Sequence, residues 1–368
     1  MSAARIARAL VHFAPAPRAW VPATQAAIAV AGPPAVFAAF GQLRLGLLAA
    51  FGALIVLYLS GQSRRERAAK LPVIAVGFLV GTVIGISTGG SLPTSLLAMS
   101  IVAVVFSYVS LTFNVGPPGA IFPVLTAGSM GQLTAPVSMG GGGVDPLLVV
   151  SVVALGVVTG YIVIVAPLAL RRVRTDDAKL PHDYRWTYSW GTDSVRIFAR
   201  LTVAIILAVL ASSSLGLHHV GWVLLAVISI LQKDSDLHLG TLRMAQRLIG
   251  TALGVCIALI FMLWIPEGFA LVAVVGGLVF GFVFFIRSNL MFALMLVTPM
   301  ALLLVAGGNR PLLEVSMSTR IIDTVVGGAV AGAVLCVVSV TRKWASHGIG
   351  TQRAGGDAFA LPRADNSA

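Results

Sequence analysis

Charge is scarce in this 368-residue chain. Asp, Glu, Lys and Arg together make up 10% of it, whereas 58% is hydrophobic. A soluble domain carries about 25% charged residues, so a water-soluble fold is excluded. Cysteine is nearly absent too. Cys256 and Cys336 each lie inside an apolar run, which rules out a disulfide scaffold or a cysteine-based metal site and leaves two small core hydrophobes. No Gly-x-x-x-x-Gly-Lys-Ser/Thr loop occurs, so ATP is not expected to drive the chain directly and no cofactor is expected. The first twenty residues hold Arg5, Arg8 and Arg18 without an apolar core ahead of a cleavage site, and read as an uncleaved cytoplasmic tail. Basic and aromatic residues are not interleaved on a polar surface, so no nucleic-acid partner is expected.

What is present is hydrocarbon-soluble sequence. A mean hydropathy of +0.96 and runs of about 20 apolar residues predict an all-α polytopic protein. About twelve spans are expected, at 20–40, 43–60, 71–87, 93–109, 111–130, 146–168, 195–214, 217–231, 244–265, 269–286, 290–306 and 320–340. The 25 Lys and Arg cluster between these runs, and all but Arg44, Arg310 and Arg320 fall on one side. That asymmetry predicts an inner-membrane protein with both termini cytoplasmic.

The chain also repeats. Gly52, Ser60, Gly81-Thr82 and Gly85 fall on Gly221, Ser229, Gly250-Thr251 and Gly254 at one constant shift, without a gap. An even number of spans in each half predicts two parallel six-helix repeats, the architecture of a transporter. The predicted division is a tail at 1–19, a first repeat at 20–170, a basic, aromatic-flanked linker at 171–194, a second repeat at 195–341, and a disordered cytoplasmic tail at 342–368. The linker fits an interfacial connector or an ordinary loop. Glycines recur four apart at Gly77/Gly81/Gly85, Gly156/Gly160, Gly250/Gly254 and Gly328/Gly332; this favours close helix packing, within one chain or at a homo-oligomer seam.

Polar residues concentrate in the second half. Arg243 and Arg247 are four apart on one helix face with Gln246 beside them, a pattern that can hold a carboxylate in bidentate fashion or anchor to lipid phosphates. Arg320 and Asp323, three apart, are expected to open the last helix, either as a proton-coupling pair or as a structural ion pair. Asn114 and Asn289 precede Pro123 and Pro299 in matching positions, and Pro117-Pro118 adds a further interruption. Such broken helices free backbone groups for a transported ligand, although plain packing kinks give the same pattern.

Two passages carry a family resemblance. Gly221-Trp222 leads an apolar run ending at Gln232-Lys233, followed by Arg247-Leu-Ile-Gly250-Thr251-Ala-Leu-Gly254 and later by Arg320-Ile-Ile-Asp323-Thr324-Val-Val-Gly327. The sequence here resembles the fusaric acid resistance (FUSC) type integral membrane transporters, which include aromatic acid exporters. The resemblance implies export of small organic anions and no enzymatic activity. The first repeat departs from it, with Phe78 where the second has Arg247. Two other readings stay open: a passive anion channel, as in some plant relatives, and an accessory or enzymatic subunit of envelope biosynthesis. The last rests on Asp234, Asp236 and His238 as a metal cluster, which also fits a solvated turn. His218 and His219 could sense pH or simply face an outer turn.

Overall fold

The structure, a computed structural model, describes residues 12–139, 141–180, 182–216, 220–232, 237–264, 266–307 and 310–356. Among these residues there are thirteen α-helices and no strand. The first seven are α1 (Trp20–Ala39), α2 (Leu43–Ala53, extended by a 3-10 turn to Leu57), α3 (Arg64–Thr88), α4 (Leu92–Thr112), α5 (Ile121–Thr134), α6 (Pro146–Val165) and α7 (Arg171–Ala178). The remaining six are α8 (Thr192–Ser214), α9 (Val220–Leu231), α10 (Leu237–Leu263), α11 (Gly268–Phe285), α12 (Leu290–Ala306) and α13 (Arg310–Gly356). Eight of them, α1, α3, α4, α6, α8, α10, α11 and α13, are long and apolar enough to cross a bilayer, and α2, α9 and α12 are shorter apolar helices. The chain is therefore a multi-pass, all-α membrane protein, with eight candidate spans by length and composition among the described residues where about twelve were expected.

The helices are greasy outside as well as inside. On α3, Val73, Val76, Val80 and Val83 recur at helical spacing and are all exposed, forming a stripe that suits lipid. Polar residues cover helix ends instead. Ser63 and Glu66 form a reciprocal capping box at the start of α3, and Asp145 and Asn289 cap α6 and α12 through their side chains.

Five expectations about boundaries are corrected. The span expected at 111–130 does not form: α4 stops at Thr112, α5 starts at Ile121, and the Gly- and Pro-containing segment between them is irregular. Helix α3 starts at Arg64 rather than 71, because the capping box lets polar residues occupy the first turns, and α10 starts at Leu237 rather than 244. Arg320 does not open the last helix, which begins ten residues earlier, at Arg310. That helix also runs on to Gly356, so 342–356 is helical where a disordered tail was expected; residues 357–368 lie outside the described residues.

Helix pairings recur along the chain. α3 packs along α5 and α10 along α12; α2 packs along α6 and α9 along α13; α1 lies on α2 and α8 on α9. Across the middle, α1 packs on α11 and α4 on α8, while α2 meets α12 and α5 meets α9. Glycine makes the tightest of these contacts possible. A Cβ at Gly156 would collide with the Ala49 carbonyl of α2, one at Gly85 with the Ala127 carbonyl of α5, and one at Gly250 would sit 2.7 Å from the Met291 carbonyl of α12.

The linker is structured. Buried Asp177 on α7 accepts from the backbone amides of Arg64 and Arg65, supplementing the cap of α3, and Glu66 accepts from the Asp183 amide. Farther on, Trp186 packs edge-on to Phe113, and the Ser189 amide donates to the Thr112 carbonyl at 2.8 Å. The connector thus clamps the ends of α3 and α4.

Candidate functional site

These pairings leave a cavity of about 1120 Å³ in the centre of the molecule. Its rim is the exposed end formed by Ser60, Gly61, Asn114, Pro117 and Arg287, where the α2–α3, α4–α5 and α11–α12 connections meet. Its interior reaches Trp222 and Leu225 on α9, Met300 and Ala301 on α12, and Arg320 on α13, all buried. Beyond Ala301, α12 continues into fully buried Leu302, Leu303 and Leu304, which share one apolar core with Leu47, Phe51 and Leu54 of α2. One end is therefore polar and accessible, and the other is sealed by packed hydrocarbon.

Among the described residues the charges on the cavity wall are all of one sign: Arg67, Arg243, Arg247, Arg287 and Arg320 line it, and no described Asp or Glu does. Three of them are deeply buried: Arg67 and Arg247 are 5% exposed and Arg320 is 4% exposed. Buried guanidiniums normally pair with carboxylates or saturate their N–H groups. Here Arg247 Nε, and both Nε and Nη1 of Arg320, have no hydrogen-bond partner. Arg320 lies instead over the Trp222 ring, 4.0 Å from its centroid, within electrostatic reach of Arg247 and Asp323. Apolar walls from Phe122, Leu125, Phe282 and Val297 complete the site. Chemically this is a cationic hollow, open at its rim, with hydrogen-bond donors to spare and room for an apolar body.

The sequence-derived candidates fall into three groups. Arg243, Gln246, Arg247, Arg320, Asn114, Asn289, Pro117 and Pro118 all line this one cavity. Asn289, however, is occupied as a cap: its Oδ1 accepts from the Met291 and Phe292 amides at 2.9 and 3.2 Å, and its Nδ2 donates to the His12 carbonyl at 3.1 Å. Asn114 sits with positive φ in the irregular segment and is exposed at the rim, so it does not head a helix. Asp323 is 1% exposed, does not line the cavity, and is not within ion-pair distance of Arg320.

Pro123 and Pro299 are not breaks and do not line the cavity. Pro123 lies in the first turn of α5, where a missing N–H costs nothing, and Pro299 lies inside a continuous α12. Helix α12 tolerates it because only the Met295 carbonyl loses its ladder partner, and that carbonyl faces the glycine face of α10 at Gly254. Asp234, Asp236, His218 and His219 and the side chain of His238 lie outside the described residues. Among the described residues no group of three His, Cys, Asp or Glu could hold a metal ion.

Three contributors were not anticipated. Arg67 read as one more interfacial charge, yet it points into the cavity and donates to the Val56 carbonyl. The signal was available, because Ser63 followed three residues later by Glu66 marks a helix start that carries Arg67 inward. Tyr58 and Gln232 were also missed; they hold the irregular segment, through Tyr58 Oη to the Gly119 carbonyl at 2.6 Å and the Ala120 amide to Gln232 Oε1 at 3.4 Å. No sequence spacing links residues so far apart.

A multi-pass helical membrane protein with an arginine-lined central cavity is the class that fold and site define. Within it, residues 206–334 match the model of the family described as fusaric acid resistance protein-like, which bears out the resemblance read from the Trp222, Arg247 and Arg320 passages. No curated protein and no solved structure matches the chain.

Proposed function

We propose that the protein exports small organic anions, aromatic carboxylates among them, across the inner membrane. The observation that carries this reading is a central cavity lined, among the described residues, by five arginines and no carboxylate, with apolar walls beside them. An anion with an aromatic body satisfies both surfaces at once, because guanidiniums bind carboxylates through paired, charge-assisted hydrogen bonds. The family match over residues 206–334 supports an efflux role. The recurring helix pairings support two parallel six-helix repeats with the cavity between them, and the basic clusters support an orientation with the rim and both termini on the cytoplasmic side. In this scheme Arg243 and Arg247 receive the anion from the cytoplasm. Asp323 links export to proton entry by competing for Arg320, its neighbour one turn earlier on α13.

Reconstituted protein tests this directly. Proteoliposomes loaded with labelled benzoate are expected to release it in a saturable manner, and an opposing proton gradient is expected to speed release. Ohmic benzoate current indifferent to the proton gradient identifies a passive channel instead. Release no faster than from empty liposomes, for benzoate and for a panel of other organic anions, contradicts the transport reading.

A further inference from the structure

Arg320 and Asp323 pose a physical puzzle. They are three residues apart on one helix, the spacing at which opposite charges ordinarily meet. Both are buried, at 4% and 1% exposure, and attraction between charges is strong where water is excluded. Arg247 lies within electrostatic reach of Arg320 and repels it, which adds to the drive toward the carboxylate. Nevertheless no ion pair within 4.0 Å forms, Asp323 Oδ2 is unpartnered, and so are two of the guanidinium nitrogens of Arg320. Among the described residues the guanidinium instead stacks on the Trp222 indole, contributed by the neighbouring helix α9.

We infer that Trp222 is a positioning residue that keeps Arg320 turned toward the cavity and away from Asp323, so that the anion site stays cationic while empty. This rests on the anion-binding reading of the cavity. An aromatic face attracts a guanidinium through its quadrupole but does not cancel its charge or use its N–H groups. The indole therefore satisfies Arg320 just enough to hold it in place and leaves the donors for an incoming anion. A carboxylate in the same role would neutralise the site and occupy those donors. With the ring removed, Asp323 is the remaining partner, and the pair would close within α13. The tryptophan leading the apolar run thereby sets the charge of a site to which it contributes no charge.

The test is benzoate binding to the purified full chain in nanodiscs, measured by calorimetry. Four variants are compared with the wild type: Trp222→Leu, Trp222→Phe, Asp323→Asn and the double variant Trp222→Leu/Asp323→Asn. Trp222→Leu is expected to bind about 10-fold more weakly, because the aromatic face that holds Arg320 toward the anion is gone. Trp222→Phe, which retains a ring face, is expected to stay within about 3-fold of wild type. The decisive variant is the double one. With the competing carboxylate gone, binding is expected to return to within about 3-fold of wild type even though the ring is still missing. Wild-type affinity in Trp222→Leu overturns the inference, and so does a folded double variant as weak as Trp222→Leu alone. Failure of the wild type to bind benzoate or any of a panel of organic anions instead overturns the anion-site reading on which it rests.

Discussion

Replacing Arg247 with alanine is expected to lower benzoate release from proteoliposomes by about 100-fold or more while the variant still inserts and folds. The magnitude follows from what is removed. A buried guanidinium bound to a carboxylate through two charge-assisted hydrogen bonds contributes about 3 kcal/mol or more, and 1.4 kcal/mol is a factor of ten. Survival of the fold follows from what is not removed. Arg247 is 95% buried, its Nε has no partner, and among the described residues no carboxylate pairs with it, so truncation leaves no orphaned acid behind. The variant's melting temperature in detergent is expected to equal or exceed that of the wild type. Lysine at the same position keeps the charge but loses the planar fork, and its activity is expected to fall between the two. Undiminished release by Arg247→Ala would refute the assignment of the anion site.

The second large effect concerns assembly rather than chemistry. Gly156→Val is expected to abolish the folded protein, whereas Gly277→Ala is expected to be silent. A Cβ at Gly156 runs into the Ala49 carbonyl and crowds the Ala53 amide, both backbone atoms of α2 that cannot rotate away. Relieving the clash means separating α2 from α6, at a cost on the order of 3 kcal/mol or more. That is a large fraction of the stability of any domain. A Cβ at Gly277 on α11 meets nothing within 4 Å. The monodisperse fraction on size exclusion, together with the melting temperature, reads both outcomes. A well-behaved Gly156→Val protein would show that the α2–α6 contact is looser than described.

Much of this was legible in the sequence, for a definite reason. In hydrocarbon every backbone group must bond within its own helix, so apolar runs translate directly into helices. Several of the paired glycines, Gly85, Gly156, Gly160, Gly250 and Gly254, marked close contacts where a Cβ would run into neighbouring backbone. Arg243, Gln246 and Arg247 could be placed together because helical spacing fixes neighbours on one face. What sequence could not supply is the convergence of distant segments. Arg67 reaches the cavity from the other half of the chain, Trp222 on α9 meets Arg320 on α13 about a hundred residues later, and Asp177 caps α3 from the linker. The misreadings have a common cause as well. Polar residues at Ser63, Glu66 and Arg67 suggested a loop, but capping and burial against neighbours drew them into a helix. Between Thr112 and Ile121 the apolar run continued while the backbone did not, because the Gly- and Pro-containing segment cannot sustain a helix.

The central claim is a water-accessible, cationic cavity that opens toward one side of the membrane. A single cysteine at Ser229, a cavity residue on α9, tests it most directly once Cys256 and Cys336 have been replaced by alanine. In oriented vesicles a membrane-impermeant, negatively charged thiol reagent is expected to label Cys at position 229 only from the side bearing Gly61 and Arg287, and benzoate is expected to slow that labelling. Labelling from neither side, or labelling that benzoate leaves unchanged, would contradict the cavity and its anion together.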